Sequence, residues 1–161
     1  MKKGTFVLIL TMVLTLVLSA CSSNKEANIE SKVPPKEMAD QMLKQVEQPS
    51  LSEMEPSLVQ KLYHLDPALL EDYTIRTPLM NVKTNEIAIL KVKNKDDISK
   101  VEAAVKQRAT DVQKQFETYL PDQYENAKNY KLITKGNYVF FVISDRADKL
   151  VTIFNSFFEQ K

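Results

Sequence analysis

The run Tyr138-Val139-Phe140-Phe141-Val142-Ile143 is apolar at both odd and even positions. Successive side chains of a strand point to opposite faces, so a strand of this kind needs cover on both sides. The flanking residues place it in a hairpin. Tyr130 to Thr134 precedes it, and Lys135-Gly136-Asn137 supplies the turn around the only glycine beyond residue 20. A second hairpin is expected earlier, with Tyr73, Ile75 and Thr77 on one parity, a polar turn over Asn81 to Asn85, and an Ile/Val-rich strand over Glu86 to Lys93.

Each hairpin is followed by acidic residues and an amphipathic segment. Ile98, Val101, Val105, Val112, Phe116 and Tyr119 form one stripe of a long helix after Asp96 and Asp97. Ala147, Leu150, Val151, Phe154, Phe157 and Phe158 form another after Asp145. The spacing therefore predicts an α+β domain with a weak internal repeat: a four-stranded antiparallel sheet from two ββα units, with both long helices packed on one face. Short helices precede it over Glu37 to Glu47, which Pro49 stops, and over Glu55 to Leu65. They are expected to cover the other face or an edge, and so to complete the burial of the 138–143 strand.

The first 21 residues carry an address. Lys2 and Lys3 precede an apolar run from Thr5 to Val17, the layout of a secretory signal. Phe6 to Ala20 is only 15 residues, short of the ~20 that a spanning helix needs. The run ends at Leu18-Ser19-Ala20-Cys21, which resembles the lipobox of bacterial lipoproteins. That resemblance implies a diacylglyceryl group on the Cys21 thiol, cleavage before Cys21, and an anchor at the outer face of the bacterial cytoplasmic membrane. Two acyl chains hold where one is marginal, at about 0.8 kcal/mol per buried methylene. The expected organisation is a signal peptide at 1–20, a lipidated Cys21 with a polar flexible tether to residue 33, and one domain from 34 to 161.

Composition then removes function classes. Beyond Lys2 and Lys3 the chain has 20 basic and 21 acidic residues, so neither a polybasic membrane clamp nor the footprint of a nucleic-acid reader is present. With the one cysteine taken by lipid, no thiol remains for disulfides, thiolate catalysis or zinc. Glycine poverty argues against phosphate-cradling loops, so no nucleotide cofactor is expected. His64, the single histidine, lies among apolar neighbours and reads as a helix-end residue; no motif of paired ligands accompanies it, and no metal is expected. Asp96, Asp97, Asp145 and Asp148 read as helix caps and dipole partners, and Arg76, Arg108 and Arg146 as surface ion-pair residues.

Two features exceed this background. One face of the 138–143 strand, at Phe140 or Phe141, could dock a protein segment instead of core. Tyr119, Tyr124 and Tyr130, around the polar connection that contains Pro121, could form a recognition edge. Packing is the simpler expectation for both.

The lipobox, the stretch ADQML at Ala39 to Leu43, the stretch LYHLDPALLEDYTIR at Leu62 to Arg76 and the lysine-rich helix beyond it are similar to small Gram-positive lipoproteins that carry an uncharacterised domain of unknown function. The resemblance implies one domain over about residues 37 to 160 and transfers no activity, ligand or catalytic residue. The expected role is a non-enzymatic interaction module at the cell envelope, held by acyl chains and meeting an envelope protein. A ligand-binding lipoprotein and an envelope hydrolase relying on His64 are the other readings, and the oligomeric state stays open. Metabolic labelling with a fatty-acid probe is expected to mark the wild type and not Cys21→Ala; equal labelling of the two would contradict lipid attachment at Cys21.

Overall fold

In the computed structural model, residues 29–159 are described; Cys21, the signal segment and most of the tether lie outside them. The domain is α+β, built on one open antiparallel sheet. Its helices are α1 (Pro35–Gln45), α2 (Pro56–Tyr63), α3 (Ile98–Phe116), α4 (Pro121–Lys128) and α5 (Ala147–Ser156). Its strands are β1 (Leu51–Glu53), β2 (Leu70–Pro78), β3 (Glu86–Val92), β4 (Lys131–Lys135) and β5 (Tyr138–Ile143), in the order β1-β2-β3-β5-β4. Both expected hairpins form, and β3 and β5 pair at the centre, from Glu86 against Ile143 to Lys91 against Tyr138.

The sheet has five strands, not four. The fifth, β1, sits on the edge of β2 with Leu51 opposite Pro78 and Glu53 opposite Arg76. Three residues between Pro49 and Pro56 are too few to show a period of two, which is why the strand is invisible to pattern reading.

Every residue of β5 is buried, as its two-sided pattern demands. Phe141, Val139 and Ile143 pack with Ala88, Leu90 and the α3 stripe of Val101, Val105, Val112 and Phe116. Phe140, Val142 and Tyr138 pack on the other side with Ile87, Ile89, Met38 and Met42 of α1, and Leu150 and Phe154 of α5. Phe140 stacks on Phe154 with ring centroids 4.5 Å apart.

The two long helices thus lie on opposite faces, α3 beside α2 and α4, and α5 beside α1. This corrects the expected repeat. Two ββα units exchanged by an axis through the antiparallel β3–β5 pair would keep their helices on the same face. The cover that β5 needs comes from one long helix per face, not from the N-terminal helices alone.

Two local readings also change. Residues 121–128, expected as a connection, form α4. Ala127 is its only buried residue, so it carries no apolar stripe, although Pro121 at the first position is a start signal. The four aspartates do not cap their helices: no side-chain cap bond is made at the starts of α3 or α5. Asp145 and Asp148 instead face Arg146 and Lys131 at 3.4 and 3.3 Å, and the Arg146 N–H donates to Ser144 Oγ.

The end of the expected tether is part of the domain. Lys91 Nζ donates to Glu30 at 2.5 Å and to Glu71 at 2.8 Å, Ser31 is buried, and Val33 packs against the α1–α5 cluster. These two carboxylates hold the Lys91 ammonium well above its ordinary range. Ile29 lies over the β4–β5 turn, where Gly136 takes a positive φ of 61° and a Cβ would stand 2.4 Å from the Ile29 carbonyl oxygen. Gly136→Ala is expected to lose about 1–2 kcal/mol from the left-handed backbone, plus the displaced Ile29 contact, as measured by urea unfolding. An unchanged midpoint would contradict both the turn and the seating of Ile29.

Candidate functional site

The antiparallel topology gives the sheet two poles. At one lie the β4–β5 turn, the end of β3 and Ile29, where the chain arrives from Cys21. At the other lie the 79–85 loop, the end of β5, and the starts of β4 and α5. Six residues of β5 separate the poles by about 20 Å.

The far pole carries two clefts, and Lys83 of the 79–85 loop lines both. The first, about 460 Å³, lies between β1, the loop and the α2–α3 face. Its apolar lining includes Met54, Leu58, Leu62, Met80, Val112 and Phe116. Its charged residues are Glu53, Glu55, Lys83, Glu86 and Arg108. The second, about 880 Å³, is polar and is lined by the 47–49 loop, α4 and the segment that leads into α5.

Glu86 and Arg108 form a pair that the sequence reading places elsewhere. Arg108 is not a surface ion-pair residue. Its Nε donates to Glu86 Oε1 at 3.0 Å and its Nη2 to Oε2 at 2.7 Å, with the Glu86 side chain only 2% exposed. The Tyr63 hydroxyl donates to the same carboxylate, and the Arg108 guanidinium lies 5.7 Å from the Tyr63 ring centre. Burial, with the Glu86 charge next in weight, pushes the Tyr63 hydroxyl well above its ordinary range. Burial works against the Arg108 charge, and the Glu86 carboxylate more than offsets it, so Arg108 stays charged. The signal was in the pattern: Glu86 shares the parity of Ala88 and Leu90, and Arg108 falls at i+3 from Val105 and i−4 from Val112.

Arg76 is also largely enclosed, donating to Asp40 at 2.8 Å and to Glu53 at 3.4 Å. Arg146 stays exposed. His64 ends α2 in a left-handed conformation with φ of 53°, and its Nε2 lies 2.9 Å from Asp111 in an exposed pair. Burial alone would raise the Asp111 carboxyl, but hydrogen bonds from His64 and Gln107 hold it below its ordinary value. Among the described residues, no group of three or more His, Cys, Asp or Glu side chains could hold a metal ion.

Of the expected interaction residues, Phe140 and Phe141 are both fully buried and present nothing to a partner. The three tyrosines do not make one edge. Tyr130 packs against Phe141 at 5.6 Å, and Tyr124 packs into the α3 side of the core beneath Lys128. Tyr119 alone is exposed: it stacks on Phe116 at 5.7 Å, and its hydroxyl donates to the Asn81 carbonyl at 3.2 Å. That bond brings it to a set that sequence reading missed, Leu79, Met80 and Val82 of the loop, which are 66%, 56% and 44% exposed. Of this exposed apolar set, Met80 lines the smaller cleft together with Leu58, and the others lie in or against the same loop. The sequence reading took this loop only as a polar turn over Asn81 to Asn85, although Leu79-Met80-Asn81-Val82 has three large apolar residues in four.

Removing one partner of a buried pair leaves the other charge uncompensated. Glu86→Leu and Arg108→Met are each expected to cost about 3–5 kcal/mol in chemical unfolding, and the double variant clearly less than the sum. Additive losses would contradict the coupling.

No curated protein and no solved structure matches the chain. The model of one family does, over residues 44–144, from the last two residues of α1 through the end of β5. The chain therefore belongs to the family of the domain of unknown function DUF4358.

Proposed function

We propose that this protein is a membrane-anchored lipoprotein of the bacterial cell envelope, and that its domain is a non-enzymatic module that docks a protein partner at the far pole. The observation that carries this reading is the exposed apolar set at the pole opposite the arriving chain: Leu58 and Met80 line the smaller cleft, Leu79 and Val82 flank Met80 in the loop, and Tyr119 is bonded to that loop at Asn81. Large apolar side chains at the tip of a loop gain nothing from water, and a cluster of them marks an interaction surface.

The placement favours protein over lipid as the occupant. Only seven residues separate Cys21 from Ile29, a span of at most about 25 Å, and Ile29 is held at the near pole by the Gly136 turn. An anchor there turns the near pole toward the headgroups and presents the apolar loop outward.

Crosslinking in intact cells, followed by purification and mass spectrometry, tests the reading with wild type, Cys21→Ala and the double variant Leu79→Glu/Met80→Glu. The wild type is expected to bring down a specific envelope protein that both variants lose, while circular dichroism shows the double variant folded. The same protein recovered at wild-type yield with the double variant would overturn the assignment of the surface, and recovery of none in any sample would overturn the function.

A further inference from the structure

The larger cleft at the far pole is of a different kind, and the proposed docking surface does not use it. Its lining residues are mostly polar: Pro49 and Ala147 are the only ones without a polar side chain. Five carboxamides line it, Gln48, Asn85, Gln123, Asn126 and Asn129. With them stand five carboxylates and three cations, Lys83, Lys131 and Arg146.

Local hydrogen bonds hold the carboxamides in place. Asn85, buried to 6% exposure just before β3, donates from Nδ2 to Gln48 Oε1 at 3.1 Å. The Thr84 N–H donates to Gln123 Oε1 at 3.0 Å, and Asn126 Nδ2 donates to Thr84 Oγ1 at 3.0 Å. These bonds occupy one end of the Asn85, Gln123 and Asn126 amides, while Gln48 is used at both ends. The Gln123 nitrogen and the Asn85 and Asn126 oxygens remain as a fixed set of one donor and two acceptors. Preset rotamers of this kind reduce the ordering cost of binding.

We infer that this cleft is a binding site for a neutral, hydroxyl-rich ligand, an oligosaccharide. A hydroxyl both donates and accepts, so it suits a lining of carboxamides and carboxylates. The lining is net negative, which disfavours phosphate or carboxylate ligands. Only Pro49 and Ala147 among its lining residues lack a polar side chain, so it offers the side chains of a peptide few apolar anchors. The volume, about 880 Å³, lies within the range of small-ligand sites and holds several sugar rings.

Saturation-transfer NMR on the full-length chain in detergent tests this with tetra-N-acetylchitotetraose and maltotetraose as neutral probes and tetralysine as a cationic peptide. Transfer to at least one sugar is expected, weakened about tenfold in affinity by Asp122→Ala and by Asn129→Ala, each removing about one hydrogen bond. The Leu79→Glu/Met80→Glu variant should bind the sugar as the wild type does, so loss of the docking surface and loss of this site are separable. Transfer to neither sugar overturns the inference, as does binding of tetralysine alone. Sugar binding unmoved by both cleft variants places the site elsewhere and overturns it as well.

Discussion

The structure depends on the two-sided burial of β5. Six consecutive side chains from Tyr138 to Ile143 lie out of water, alternately on the α3 face and the α1–α5 face. A central strand of this kind cannot sit in a two-layer domain with one wet face. It needs β3 beside it, apolar on both parities in the same way, and helices on each side. The sheet order, the opposite placement of α3 and α5, and the packing of α1 on the second face all follow from that demand.

Strong periodic segments were readable from the residues alone. The stripe of α3 as far as Phe116, that of α5 as far as Phe154, and both hairpins form where their spacing places them, while Tyr119, Phe157 and Phe158 fall beyond the helix ends. What the sequence does not reveal are elements too short or too polar to have a period: β1, with three residues, and α4, with one buried side chain. The apparent repeat misleads for a different reason. Two amphipathic helices after two hairpins look alike in one dimension, while the face each one takes is settled only by where the chain leaves β3 and β5. Glu86 and Arg108 were legible in principle, because each interrupts an apolar parity or stripe and the two interruptions match one another in space.

The site was less legible than the fold. Expectation rested on conspicuous aromatics, and the packing demand of β5 consumes Phe140 and Phe141 entirely. The surface left exposed is made of less conspicuous residues in a hairpin loop, Leu79, Met80 and Val82, with Tyr119 brought to them by its bond to Asn81. The topology then sorts the molecule by pole. Ile29 and the Gly136 turn are at one end, and both clefts and the apolar loop are at the other. Under the proposed anchor at Cys21, this polarity turns the apolar loop outward.

The most direct test of that polarity is headgroup quenching. The protein carrying the proposed lipid at Cys21 is reconstituted in vesicles that carry nitroxide headgroups, with a fluorophore placed in turn at Lys93, beside the near pole, and at Asn81, in the apolar loop. Outward presentation predicts strong quenching at Lys93 and weak quenching at Asn81. Stronger quenching at Asn81 would mean that the apolar loop rests on the membrane, and would contradict the placement of the docking surface away from it.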